Sequence, residues 1–138
     1  MKIMGMDVGD KNIGIALTDR GKKRSIPLTV LKNDKDLKES LSSIMEKEEV
    51  EKIVVGMPYT LKGEIGRQGE KVLEFVRENI LDMGVEIVYQ DERFTSRLPL
   101  DPGIKKKNGL AQKDKFSADL ILQGYLERTS AIKRMEDE

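Results

Sequence analysis

Three places in this 138-residue chain put acids where they could do chemistry. Asp7 sits in Gly5-Met6-Asp7-Val8-Gly9, where apolar neighbours imply burial and the following glycine lets backbone come close to a ligand. A buried acid is costly unless something positive pairs with it; an Asp before Gly is also a common turn cap. Asp91-Glu92 closes the last strand-length run, and alternation sends the two side chains to opposite faces, so at most one serves a given site. Asp114 stands at an expected helix start, and Asp119, inside the apolar stretch of that helix, is a reserve candidate. Asp10 and Asp19 read as turn acids. Asp7, one of Asp91 and Glu92, and Asp114 would repel one another when ionised unless divalent cations lay among them. Two such ions about 4 Å apart activate a water and stabilise the leaving oxygen in phosphodiester hydrolysis.

The residues the chain lacks point the same way. With no His and no Cys, a histidine-based triad, a thiolate nucleophile, a disulfide framework and a Cys/His zinc site are all excluded. Acid/base and metal-binding work then falls mainly to carboxylates, which prefer hard cations such as Mg²⁺ or Mn²⁺.

A cationic complement lies beside the second and third acids. The chain as a whole balances 25 Lys+Arg against 25 Asp+Glu, but residues 93–115 carry seven basic side chains and two acids. Arg93, Arg97, Lys105, Lys106, Lys107 and Lys113 are therefore candidates for gripping nucleic-acid phosphates. Phe94 is the lone aromatic nearby, so backbone or shape recognition is expected over base stacking.

These residues need elements to position them. Residues 2–8, 12–18 and 25–31 read as three antiparallel strands, with Pro27 favouring an edge or a strand end. Leu37, Leu41, Ile44 and Met45 then fall on one face of a helix over about 34–49. Lys52 to Gly56 is a continuous apolar run suited to a buried parallel strand. Val72, Phe75, Val76 and Ile80 mark a second helix, and Val85 to Tyr89 a last strand. Residues 93–113, with two prolines, two glycines and three consecutive lysines, read as a mobile basic loop. A final helix is expected from Asp114 to about Arg128, with a frayed end after it. The order β-β-β-α-β-α-β-α predicts an α/β fold, a mixed five-stranded sheet of three antiparallel then two parallel strands, flanked by helices. Length and 38% hydrophobic content suit one domain over residues 1–138. No run approaches a membrane span, so no membrane partner and a cytoplasmic location are expected.

Four blocks carry a family resemblance. Residues 4–19 (Met-Gly-Met-Asp-Val-Gly-Asp-Lys-Asn-Ile-Gly-Ile-Ala-Leu-Thr-Asp), Ile53-Val54-Val55-Gly56-Met57-Pro58 with Gly63, Asp91-Glu92-Arg93-Phe94-Thr95-Ser96, and Asp114 to Tyr125 resemble, in order, the YqgF/RuvX family. The resemblance implies a ribonuclease H-like fold and a metal-dependent nuclease that resolves Holliday junctions or matures the 5′ end of pre-16S ribosomal RNA. It selects Glu92 over Asp91 and makes Asp7, Glu92 and Asp114 the catalytic, metal-holding acids of a two-metal Mg²⁺ or Mn²⁺ site. Asn12 stands where the family typically has Arg, so the cation for phosphate or for pairing an acid is either missing or supplied by Lys11. The partner implied is structured RNA or branched DNA. Resolving a two-fold junction calls for a homodimer, whereas trimming RNA needs only a monomer. Two other readings share these residues: a nucleic-acid-binding or ribosome-assembly factor without turnover, and an actin-like nucleotide-binding protein, which would need a second domain to close over its ligand.

Overall fold

The computed structural model describes residues 1–92 and 102–137, with side chains for all of these except 102–115, 134, 136 and 137. The strands are β1 (Lys2–Val8), β2 (Asn12–Thr18), β3 (Ser25–Lys32), β4 (Val50–Met57) and β5 (Glu86–Asp91). The helices are α1 (Leu37–Lys47), α2 (Arg67–Asn79) and α3 (Pro102–Asp137), with a 3₁₀ turn at Leu81–Met83. One sheet runs in the order β3-β2-β1-β4-β5. β1, β2 and β3 pair antiparallel, and β4 joins β1 and β5 in parallel. This is the expected mixed sheet, and Pro27 lies on the edge strand, where its missing N–H removes no ladder bond on the open side.

Alternation along the strands divides the core between two faces. Met4 and Met6 of β1, Ile13 and Ile15 of β2, and Ile53 and Val55 of β4 pack with Leu37, Leu41 and Met45 of α1 and with Val72, Phe75, Val76 and Ile80. The helical spacing of both sets supplied that apolar stripe. Glu70 in the first turn and Arg77 in the last turn of α2 complement its dipole. On the opposite face, Ile3, Ala16 and Val54 pack with Ala118, Ile121, Leu122, Tyr125 and Leu126 of α3. Burying a side chain such as Ile121 or Leu122 contributes about 1.5–3 kcal/mol, so this central stretch anchors the helix.

Two glycines seat α3. A Cβ on Gly5 of β1 would stand 2.6 Å from Leu122 Cβ and 2.8 Å from the Ala118 carbonyl oxygen, and a Cβ on Gly56 of β4 would collide with Ile121 Cδ1. A side chain at Gly5 would push the helix off the sheet, and one at Gly56 would displace the Ile121 side chain.

The basic segment differs from its expected form. α3 begins at Pro102, not at Asp114, and continues to Asp137 where fraying was expected. Proline is well placed in a first helical turn, because its missing N–H would have no partner there. From Ile104 to Lys115 most residues are good helix formers, and the one glycine within them costs only about 1 kcal/mol. Lys105, Lys106, Lys107 and Lys113 therefore lie on a helix, and Asp114 lies inside it and caps nothing. Arg93 and Arg97 fall outside the described residues.

Candidate active site

Asp7 is the next-to-last residue of β1, and Glu92 directly follows β5. β4 lies between these strands, with Met6 level with Val55 and Gly56 level with Gln90. Counting by twos from Ile3, Val54 and Val88, which all pack against the α3 cluster, puts Asp7, Gly56, Gln90 and Glu92 on the α3 face. The carboxyl groups of Asp7 and Glu92 meet there in a side-chain hydrogen bond. A bond between two carboxyl groups forms only when one of them carries a proton, and as two anions they would repel.

Gly56 makes the meeting possible. Its absent side chain leaves the volume that Glu92 fills: a Cβ there would stand 2.5 Å from Glu92 Oε1 and 3.0 Å from Glu92 Cγ. Glu92 is half-buried, and burial is the largest influence raising its pKa above the usual glutamate value. The hydrogen bond to Asp7 opposes that rise, and the nearby charge of Asp91 adds to it. Asp91 itself ends β5, opposite Met57, on the other side of the pleat.

The remaining candidates are distributed as follows. Lys11 is exposed in the turn after β1, at the same end of the sheet as Asp7. Asp10 pairs with Lys71 at 3.4 Å, and Asp19 accepts hydrogen bonds from the backbone N–H groups of Lys23 and Arg24 at 3.0 and 3.4 Å, so both are turn acids as expected. Asp119 belongs elsewhere. Its backbone carbonyl accepts a hydrogen bond from Ser25 Oγ at 3.2 Å, and Ser25 pairs with Thr18 near the amino end of β1, away from Asp7. The side chains of Asp114, Lys105, Lys106, Lys107 and Lys113 are not among those described.

Sequence reasoning missed two members of this site. Gly56 read only as the end of an apolar run, although a glycine in a strand signals a close approach. Gln90 gave a fainter signal, one amide following the apolar run Ile87-Val88-Tyr89. It is 2% exposed, and its Oε1 is buried with no hydrogen-bond partner among the described residues.

Two carboxyl groups over a side-chain-free floor are hard-oxygen donors that fit a Mg²⁺-like ion, with the buried Gln90 amide oxygen on the same face. Among the described residues no three acids gather closely enough to hold a metal. A larger cleft of about 960 Å³, lined by Lys38, Ser42, Val50, Asp82 and Val85 among others, opens at the opposite end of the sheet. The Lys38–Asp82 ion pair there is exposed, and the chemistry, not the volume, places the site at Asp7 and Glu92. No helix among the described residues is long and apolar enough to cross a membrane.

Comparison with known proteins bears on the fold and the family. In the solved structure of Thermus thermophilus RuvC in complex with Holliday junction substrate, a chain superposes with a TM-score of 0.61 at 12% identity, covering 94% of this chain and 96% of that one. Fowlpox virus resolvase in its complex with Holliday junction DNA gives 0.54 at 14% identity, covering 94% and 99%. At such identities the likeness speaks for the fold alone, which is ribonuclease H-like. The protein named "Putative pre-16S rRNA nuclease" of Sulfurihydrogenibium sp. (strain YO3AOP1) is 40% identical over 94% of this chain and 92% of its own length. One of the same name from Desulforudis audaxviator (strain MP104C) is 38% identical over 91% and 94%. The model of the RuvX family, described as Holliday junction resolvase, matches residues 1–128, and the chain belongs to that family.

Proposed function

We propose that this chain is a divalent-cation-dependent nuclease in which Asp7, Glu92 and Asp114 hold Mg²⁺ or Mn²⁺ and Lys11 with the basic residues of 93–113 grips the phosphate backbone. The observation that carries the reading is the hydrogen-bonded Asp7–Glu92 pair, two half-enclosed acids brought together from separate strands across a glycine. Such an arrangement is unfavourable for both acids as anions and becomes favourable when a cation replaces the shared proton. The ion, when bound, supplies charge neutralisation at the phosphate and a more acidic water.

Asp114 enters through the direction of α3. Ile121 lies over Gly56 and Tyr125 OH meets Lys52 Nζ at 2.9 Å, so the helix runs from the carboxyl end of β4 toward its amino end. Position 114 precedes Ala118 by about 6 Å of helix rise, and Ala118 overlies Gly5, two residues short of Asp7. Position 114 also shares the spacing of Ala118, Ile121 and Leu122 on one helical stripe.

The preferred substrate is the 5′ region of a ribosomal RNA precursor, following the names of relatives that match more than nine-tenths of this chain at 38–40% identity. Branched DNA offers the same phosphodiester and is the competing substrate. A panel of precursor RNA, single-stranded RNA and four-way DNA junctions, incubated with Mg²⁺ or Mn²⁺, tests the reading. Cation-dependent cleavage strongest on the precursor is expected. Tight binding of these substrates with no cleavage under any condition would point to an assembly factor.

A further inference from the structure

We infer that Gln90 is a positioning residue of the acidic site, its side-chain oxygen held to accept a hydrogen bond from water that a divalent cation brings between Asp7 and Glu92. The inference rests on the proposed cation site and adds to it a residue outside the acidic set.

Gln90 is 2% exposed, and its Oε1 has no partner among the described residues. Burying an amide oxygen without a donor is costly, and the sheet offers cheaper alternatives at this position, since Val88 on the same face is apolar. Among the described residues the surroundings offer no donor. Gln90 stands level with Gly56, which contributes no side chain, and Ile121, which reaches over Gly56, is apolar. One pleat further along the same face is Glu92, and beyond Gly56 lies Asp7. Once ionised, their carboxyl groups accept hydrogen bonds and donate none. Among the described residues none is left to donate to Gln90, and an occupant of the site would bring a donor.

A hydrated Mg²⁺ or Mn²⁺ ion brings such donors. These ions keep several of their waters when held by one or two carboxylates, and the hydrogens of those waters point outward to neighbouring acceptors. Residues that accept from the surroundings of a metal in this way fix its ligands, and their loss typically weakens metal affinity by about 10–100-fold.

The test is Mn²⁺ binding to the full chain, followed by the electron paramagnetic resonance signal of free Mn²⁺, in wild type, Gln90→Met, Gln90→Leu, Gln90→Glu and Asp7→Asn. Gln90→Met and Gln90→Leu remove the acceptor at similar size, and thermal melts in chelator check that they fold. The expected result is a loss of affinity of about 10–100-fold in both, with melting in chelator at or above wild type, since the orphaned oxygen is gone. Gln90→Glu, which keeps an acceptor, retains wild-type affinity or better. Wild-type affinity in folded Gln90→Met or Gln90→Leu, together with loss in Asp7→Asn, would overturn the role of Gln90 and leave the cation site standing. Absence of Mn²⁺ binding by wild type would overturn both.

Discussion

Glu92, just past the end of β5, is hydrogen-bonded through its side chain to Asp7 near the end of β1, across a strand whose residue at that level, Gly56, has no side chain. The relationship joins fold to function, because the sheet order, the pleat and the glycine are all needed for two acids remote in sequence to meet.

Gly56→Ala tests the floor of the site. The added methyl meets Glu92 Oε1, Glu92 Cγ and Ile121 Cδ1, so the Glu92 and Ile121 side chains must shift. Urea unfolding is expected to show a loss of about 1–3 kcal/mol, as for overpacked cores. Cleavage should fall by more than that loss of folded protein explains. Unchanged stability would mean that both side chains move aside without cost.

Gly5→Ala isolates the helix seat from the acids. Its Cβ would meet the backbone carbonyl of Ala118 at 2.8 Å, which cannot rotate away as a flexible side chain can. A destabilisation of at least about 1–3 kcal/mol is expected in the same assay. A neutral result would contradict the close packing of α3 on β1.

Thr18→Val removes the oxygen that accepts from the Ile3 backbone N–H at 2.9 Å in a buried position. The orphaned N–H should cost about 1–3 kcal/mol, and Thr18→Ser should recover most of it. Equal stability of the Val and Ser variants would show that this bond contributes nothing.

Glu92→Gln should stabilise the cation-free protein at neutral pH. Burial raises the pKa of Glu92 in the folded chain, with Asp91 adding to the rise and the bond to Asp7 opposing it. The folded state then holds a proton that the unfolded state releases near pH 4.3, so stability falls as pH climbs from there through the raised value. Melting curves in chelator from pH 4 to 8 should show a shallower fall for Glu92→Gln. A steeper or identical fall would contradict the raised value. Asp119 follows the same sign, since burial raises its carboxyl and the Ser25 hydroxyl only partly offsets this.

Much of this was legible in the sequence, and the failures have physical reasons. The switch from strand to helix periodicity at Leu37, and the set Val72, Phe75, Val76 and Ile80, located elements because burial imposes those periods. Pro102 and the glycines at 103 and 109 concealed the first turns of α3, because residues that usually break helices are tolerated at a start or outweighed by good neighbours. Alternation narrowed Asp91 and Glu92 to one choice without saying which. The choice depends on the register of β4 with β5 and on Gly56, and both are tertiary facts. The orphaned oxygen of Gln90 was hidden for the same reason, since it exists only once its neighbours are placed.

The most direct test of the central claim is the Mg²⁺- or Mn²⁺-dependent cleavage rate of precursor RNA and a four-way DNA junction by wild type and Asp7→Asn, with thermal melts confirming that both are folded. The account predicts cation-dependent cleavage of at least one substrate by wild type and a fall to background in Asp7→Asn. Full activity in folded Asp7→Asn would contradict it.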